Sequence, residues 1–169
     1  MRRMSEIKPS LQILKHPDRK GVFQLKSEFW LPVSREELFE FFSDAFKLEE
    51  LTPPWLQFRV VTPKPIEMQD GITIDYRLKL HGFPLRWQSK ITLWDPPFQF
   101  VDEQIRGPYR LWHHLHSFEP RDGGTLCRDD VDYSVLGGAL ANRFLVQGDI
   151  ERIFKFRREK LNEWFAVSP

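Results

Sequence analysis

Apolar and polar positions alternate along residues 22–31, where Phe23, Leu25, Ser27, Phe29 and Leu31 fall on one face. The same alternation returns along 57–61, 73–81, 85–94, 98–106, 110–118 and 125–136. Successive strand side chains point to opposite sides, so this period predicts half-buried strands. In 73–81, Ile74, Tyr76, Leu78 and Leu80 oppose Thr73, Asp75, Arg77 and Lys79. In 85–94, Leu85, Trp87, Ser89, Ile91 and Leu93 oppose Arg86, Gln88, Lys90 and Thr92, which gives a sheet with one covered face and one wet face. The breaks at Asp70-Gly71, Gly82, Asp95-Pro96-Pro97, Gly107-Pro108 and Asp122-Gly123-Gly124 are too short to hold a crossover helix. Neighbouring strands are therefore antiparallel, in a meander.

Two segments carry a helical period instead. Ser34-Arg35-Glu36-Glu37 forms an S-x-x-E capping box, and Leu38, Phe39, Phe42, Ala45, Phe46, Leu48 and Leu51 follow until Pro53-Pro54 stops the run. One or two short helices are expected there. After Gly137-Gly138, residues 139–165 place Leu140, Phe144, Ile150, Ile153, Phe154, Leu161, Trp164 and Phe165 among Arg and Lys, the mark of an amphipathic helix. At ~1.5 Å per residue it runs roughly 40 Å and must lie across the sheet to bury its stripe. Gly148 is the candidate break within it. Residues 1–20 are polar, contain Pro9 and Pro17, and read as a loosely ordered arm ahead of a single domain over 21–169. The expected class is α+β: a curved antiparallel sheet of six or seven strands, two short helices after the first strand, and a long C-terminal helix.

Composition narrows the function. A chain of 169 residues builds one ordinary core. With 25 Lys plus Arg against 24 Asp plus Glu, it lacks the field that recruits nucleic acid or an anionic membrane. The single Cys127 makes no internal disulfide, and no long apolar run suggests stable membrane insertion, so a cytoplasmic setting is expected. The 15 Phe and 6 Trp supply more ring surface than packing needs, enough to line a cavity.

The candidate chemistry lies in 110–118, where Trp112, His114, His116 and Phe118 share a face. By the same parity the flanking strands bring Phe100, Asp102 and Gln104 on one side and Cys127, Asp129, Val131 and Tyr133 on the other. Rings with a few convergent polar atoms are the chemistry of a small-molecule pocket. The expected ligand-binding set is His114, His116, Trp112, Asp102, Gln104, Asp129, Tyr133, Trp87, Tyr76 and Phe154. A histidine paired with Asp102 or Asp129 would anchor a polar ligand atom or act as an acid/base pair. The plainer alternative is that the carboxylates only satisfy buried imidazoles. A bulge near Gly107 would reverse the parity and turn Glu103 and His113 inward.

Other chemistries find less support. His114-x-His116 with Asp129 is a metal-ligand spacing, but no HExxH, paired CxxC or carboxylate cluster accompanies it, and no metal or other cofactor is expected. Cys127 reads as a small buried hydrophobe, and Ser89, Ser117 and Ser134 lack a G-x-S-x-G elbow. Trp55 is either a lid or a core plug. The basic set Arg152, Lys155, Arg157, Arg158 and Lys160, interleaved with acids, reads as a solvated face.

Several motifs carry a family likeness: Leu51-Thr52-Pro53-Pro54-Trp55-Leu56, His81-Gly82-Phe83-Pro84-Leu85-Arg86-Trp87, Trp94-Asp95-Pro96-Pro97, Phe100-Val101-Asp102-Glu103-Gln104, Gly107-Pro108-Tyr109 and Trp112-His113-His114-Leu115-His116. With the element order, they resemble the helix-grip fold of the SRPBCC superfamily, and within it the bacterial ligand-binding SRPBCC subfamily, over about residues 22–166. The superfamily includes START lipid-transfer domains, polyketide cyclases and birch-pollen-allergen proteins. The resemblance implies a sheet wrapped around the long helix with a cavity between them, binding or transporting a hydrophobic or amphipathic molecule such as a lipid, polyketide or aromatic. It leaves two alternatives: a cyclase or dehydratase using the same cavity, and a protein-partner module of an epimerase-like protein. Enzyme activity is left open, with binding preferred because no catalytic motif comes with the family. The chain has no G-x-G-x-x-G turn for a dinucleotide.

Overall fold

The computed structural model describes residues 9–165. Eight strands form one antiparallel sheet: β1 (Ser10–Lys15), β2 (Phe23–Leu31), β3 (Arg59–Val60), β4 (Thr73–Leu80), β5 (Phe83–Asp95), β6 (Gln99–Arg106), β7 (Leu111–Arg121) and β8 (Gly124–Ser134). Their spatial order is β1-β2-β8-β7-β6-β5-β4-β3. From β3 to β8 this is the expected meander. β2 closes it by pairing with β8, from Phe23 opposite Tyr133 to Leu31 opposite Thr125.

The strand beyond the expected seven is β1. It pairs with β2 from Ser10 opposite Glu28 to Lys15 opposite Phe23, so the loose arm read over residues 1–20 is ordered from residue 10 to 15. Residues 1–8 of that arm lie outside the described residues. β1 escapes the apolar pattern because it is an edge strand held by backbone pairing, with only Leu11 and Ile13 packed against the core.

Between β2 and β3 lie α1 (Arg35–Ser43) and α2 (Lys47–Glu50). Ser34 caps α1 by accepting a hydrogen bond from the Glu37 N–H at 3.3 Å. Leu38 and Phe39 of α1 pack with Phe29, Phe100 and Phe118 of the sheet, and Leu161 from the other end of the chain joins them.

The C-terminal helix begins as α3 (Gly138–Ala141), widens through a π segment (Asn142–Val146) and continues as α4 (Gln147–Phe165). The irregularity falls there, and Gly148 lies within continuous helix. A π turn takes one extra residue, so Asn142, Val146, Ile150 and Phe154, four apart, all reach the sheet side. Leu140 and Phe144, expected in the buried stripe, are instead each 72% exposed. Trp55 is 56% exposed and packs edge-on against Phe156, neither core plug nor cavity lid. No helix among the described residues is long and apolar enough to cross a membrane.

Candidate functional site

The concave face of the sheet and the C-terminal helix enclose a cavity of about 350 Å³. Its wall is largely apolar, from Leu51 and Leu56 beyond α1, through Ile74, Leu78 and Leu85 of the sheet, to Val146 and Phe154 of the helix. The polar groups that reach it include Ser89, Asp102, His114, His116 and Arg157.

Strand register assembles the polar cluster. Asp102 of β6 sits opposite His114 of β7, and Asp129 of β8 sits opposite His116. The four side chains close into a ring of contacts. Asp129 Oδ1 lies 2.8 Å from His114 Nε2 and 3.1 Å from His116 Nδ1. Asp102 Oδ2 lies 3.1 Å from His116 Nε2 and 3.6 Å from His114 Nδ1. The imidazoles stack at 3.6 Å between centroids, Phe100 stacks on the outer face of His116 at 4.2 Å, and Phe154 of α4 lies 5.7 Å from His114. A relay extends the cluster along the wall, with Trp87 Nε1 donating to Ser89 Oγ at 3.0 Å and Ser89 Oγ donating to Asp102 Oδ1 at 3.5 Å.

These contacts separate the two histidines electrostatically. Burial lowers the His114 pKa, and the neighbouring His116 lowers it further, so that despite Asp129 it falls to about 4. His116 is buried too, but its hydrogen bonds to Asp102 and Asp129 outweigh burial and raise its pKa. For both carboxylates burial alone would raise the pKa, and their histidine partners overcome it and hold each below the ordinary range. The two adjacent imidazoles thus differ in how readily they hold a proton.

Of the residues singled out from the sequence, Trp87, Tyr76, Asp102, Trp112, His114, His116 and Phe154 line the cavity. Three do not. Asp129 sits behind the histidines, on the far side from the cavity. Tyr133 is fully buried and donates to Asn142 Oδ1 at 2.8 Å, tying β8 to the π segment. Gln104 brackets the turn after β6, its Nε2 donating to the Tyr109 carbonyl at 2.7 Å and its Oε1 accepting from the Tyr109 N–H at 3.1 Å. A Cβ on Gly107 would collide with that amide and push Gln104 out of its two hydrogen bonds to Tyr109. A register shift does fall near Gly107, at Ile105 between β5 and β6, with a second further along the pair, but β6 and β7 stay in register, so His113 with Glu103 keeps to the opposite face, 3.7 Å apart.

Arg157 is the cavity residue that the sequence reading placed elsewhere. Its guanidinium lies 5.1 Å from the Phe154 ring centroid, and its buried Nε has no hydrogen-bond partner among the described residues. The signal was present: Arg157 falls between Phe154 and Leu161 at spacings of three and four, on the buried stripe rather than among its basic neighbours.

Residues 31–155 match the family described as "Polyketide cyclase / dehydrase and lipid transport". No curated protein matches the sequence. Among solved structures, protein Ms6760 from Mycobacterium smegmatis superposes with a TM-score of 0.67 at 15% identity, covering 93% of this chain and 97% of that one. Ginseng major latex-like protein 151 from Panax ginseng gives 0.65 at 10% identity, covering 86% and 99%. TTHA0849 from Thermus thermophilus gives 0.60 at 20%, covering 83% and 94%. At such identities the likeness is one of fold.

Proposed function

Because this chain belongs to the polyketide cyclase/dehydrase and lipid transport family, we propose that it binds an amphipathic small molecule, such as a lipid, polyketide or aromatic, between sheet and helix. The observation that carries this reading is the cavity: about 350 Å³, within the range of small-molecule sites, and mostly apolar, with a buried polar cluster at His114, His116 and Asp102. The apolar body of the ligand lies along Leu78, Leu85 and Trp87. Its polar end meets His114, His116 and Asp102, and an acidic or carbonyl oxygen there gives Arg157 Nε the partner it lacks.

The β4–β5 hairpin meets the start of α4 where His81 Nε2 and Asp149 Oδ2 lie 2.7 Å apart. A cavity collapsed onto its own Phe and Trp side chains would favour the partner-module reading, whereas this one keeps about 350 Å³ of space. An acid/base enzyme of cyclase or dehydratase type is the second reading, favoured by one feature: two adjacent imidazoles at the cavity wall with pKa values pushed apart.

Native mass spectrometry of the purified protein, followed by thermal-shift screening of fatty acids, sterols, flavonoids and polyketides, identifies the ligand. Leu78→Trp, which fills the cavity, and His114→Phe, which removes a polar contact, should each weaken it at least tenfold. Equal affinity in all three proteins rejects the cavity as the binding site. Turnover of a bound polyketide, lost in His116→Gln, would move the assignment to the enzyme.

A further inference from the structure

We propose that Asp102, His114 and His116 form a binding site for one divalent first-row transition-metal ion, open to the cavity. This goes beyond small-molecule binding and does not depend on it. One ligand atom from each of the three residues lies within 4.8 Å of the others.

The argument rests on which nitrogen faces which carboxylate. With both imidazoles neutral, the tautomer in which Asp129 Oδ1 accepts from His114 Nε2 at 2.8 Å and from His116 Nδ1 at 3.1 Å puts the protons on those two nitrogens. The remaining nitrogens, His114 Nδ1 and His116 Nε2, then turn their lone pairs toward Asp102 Oδ2, at 3.6 and 3.1 Å. Two lone pairs and a carboxylate oxygen facing one another repel unless a cation lies among them. A proton shared by His116 and Asp102 is one such cation. A metal ion is the other, and it satisfies all three atoms at once.

The spacing suits the ion. Bonds of ~2.0–2.2 Å place neighbouring ligand atoms about 3.0–3.5 Å apart, close to the two separations observed. The donor set suits it too, since imidazole nitrogen with one carboxylate favours first-row ions such as Zn²⁺, Co²⁺ or Fe²⁺ over Mg²⁺ or Ca²⁺. Asp129 supplies the supporting carboxylate that fixes the tautomer and orientation of both imidazoles. Charge favours it as well: two carboxylates and two neutral imidazoles carry −2, of which Arg157 offsets only a part. Asp102, His114 and His116 all line the cavity, whereas Asp129 does not, so the positions left open on the ion face the space where a ligand would sit. In the sequence, His114-x-His116 with Asp129 was a metal-ligand spacing that was set aside, with no metal expected. Tertiary structure exchanges the carboxylates, with Asp102 in front and Asp129 behind.

The test is titration of chelator-treated, dialysed protein with Co²⁺, read by its visible d–d absorption and by calorimetry, with Zn²⁺ as competitor. One Co²⁺ per chain, displaced by one Zn²⁺, is expected. Asp102→Asn, a change of near-constant volume at the cavity surface, should weaken Co²⁺ at least tenfold, as should His116→Gln. Asp129→Asn should weaken it about 10–100-fold through the supporting bond, with an unchanged circular-dichroism spectrum. Glu103→Gln, on the other face of the same strands, should leave it unchanged. Absence of saturable one-to-one binding in the wild type overturns the proposal. So does wild-type affinity in folded Asp102→Asn, or a loss in Glu103→Gln equal to that in Asp102→Asn.

Discussion

Tyr133 offers a test of whether a residue belongs to the site or to its scaffold. Its side chain is fully buried, and its hydroxyl donates to Asn142 Oδ1 at 2.8 Å in an interior where Asn142 is only 3% exposed. Tyr133→Phe removes the donor and keeps the ring, which packs at 5.6 Å from Phe23 and 6.0 Å from Tyr109. The area term is therefore almost unchanged, and the loss is that of a buried acceptor left without its donor, ~1–3 kcal/mol. For a chain of this size each kcal/mol moves the melting temperature by ~2–4 °C, so Tyr133→Phe should melt about 2–12 °C below wild type. Replacing both partners, as Tyr133→Phe with Asn142→Leu, removes the orphan and should recover part of that loss, with a coupling of ~0.5–3 kcal/mol in the double-mutant cycle. Thermal melts of the four proteins measure it. Affinity for a cavity ligand should not change in Tyr133→Phe, because Tyr133 does not line the cavity. An unshifted melt, or tenfold weaker binding at unchanged stability, would refute the reasoning.

Two further outcomes follow from burial. The His114 pKa, lowered to about 4, lies below the ~6.5 of an unfolded chain, so the unfolded state takes up this proton first. Stability from neutral His114 is present above about pH 6.5 and is lost as pH falls toward 4. His114→Phe should flatten that loss in urea melts of metal-free protein at about pH 7 and about pH 4.5, and parallel losses in the two proteins would contradict it. Burial, reinforced by Asp129, pushes the Cys127 thiol well up. Iodoacetamide should therefore leave the native protein unlabelled and modify one thiol per chain in denaturant, and rapid native labelling would count against a closed β8 core.

The sequence alone determined which faces of which strands meet. Side-chain period and turn length are local properties, and together they required an antiparallel meander with Trp112, His114, His116 and Phe118 on the covered face. Residues within one strand, or across a short hairpin, can do otherwise only through a bulge, the alternative that the spacing left open near Gly107. That is why Asp102 and Asp129 could be set beside the histidines from spacing alone. Two helical features were less legible. The π segment moved Leu140 and Phe144 out of the stripe, and Arg157 was read by its charge although its position in the helical period put it with Phe154 and Leu161.

What only the tertiary structure decided is the division of labour among polar groups of like parity. Asp102, Gln104, Asp129 and Tyr133 looked equivalent by alternation. Yet Asp102 meets the cavity, Asp129 stands behind the imidazoles, Gln104 brackets a turn and Tyr133 holds the π segment. The difference comes from strand pairing and from where the helix crosses the sheet. Register across β6, β7 and β8 sets the diagonal contacts of the histidines, and the crossing helix covers Tyr133 while leaving His114, His116 and Asp102 open. These are long-range contacts between segments whose relative placement no local period encodes. The cavity, with whatever it holds, exists only once they have formed.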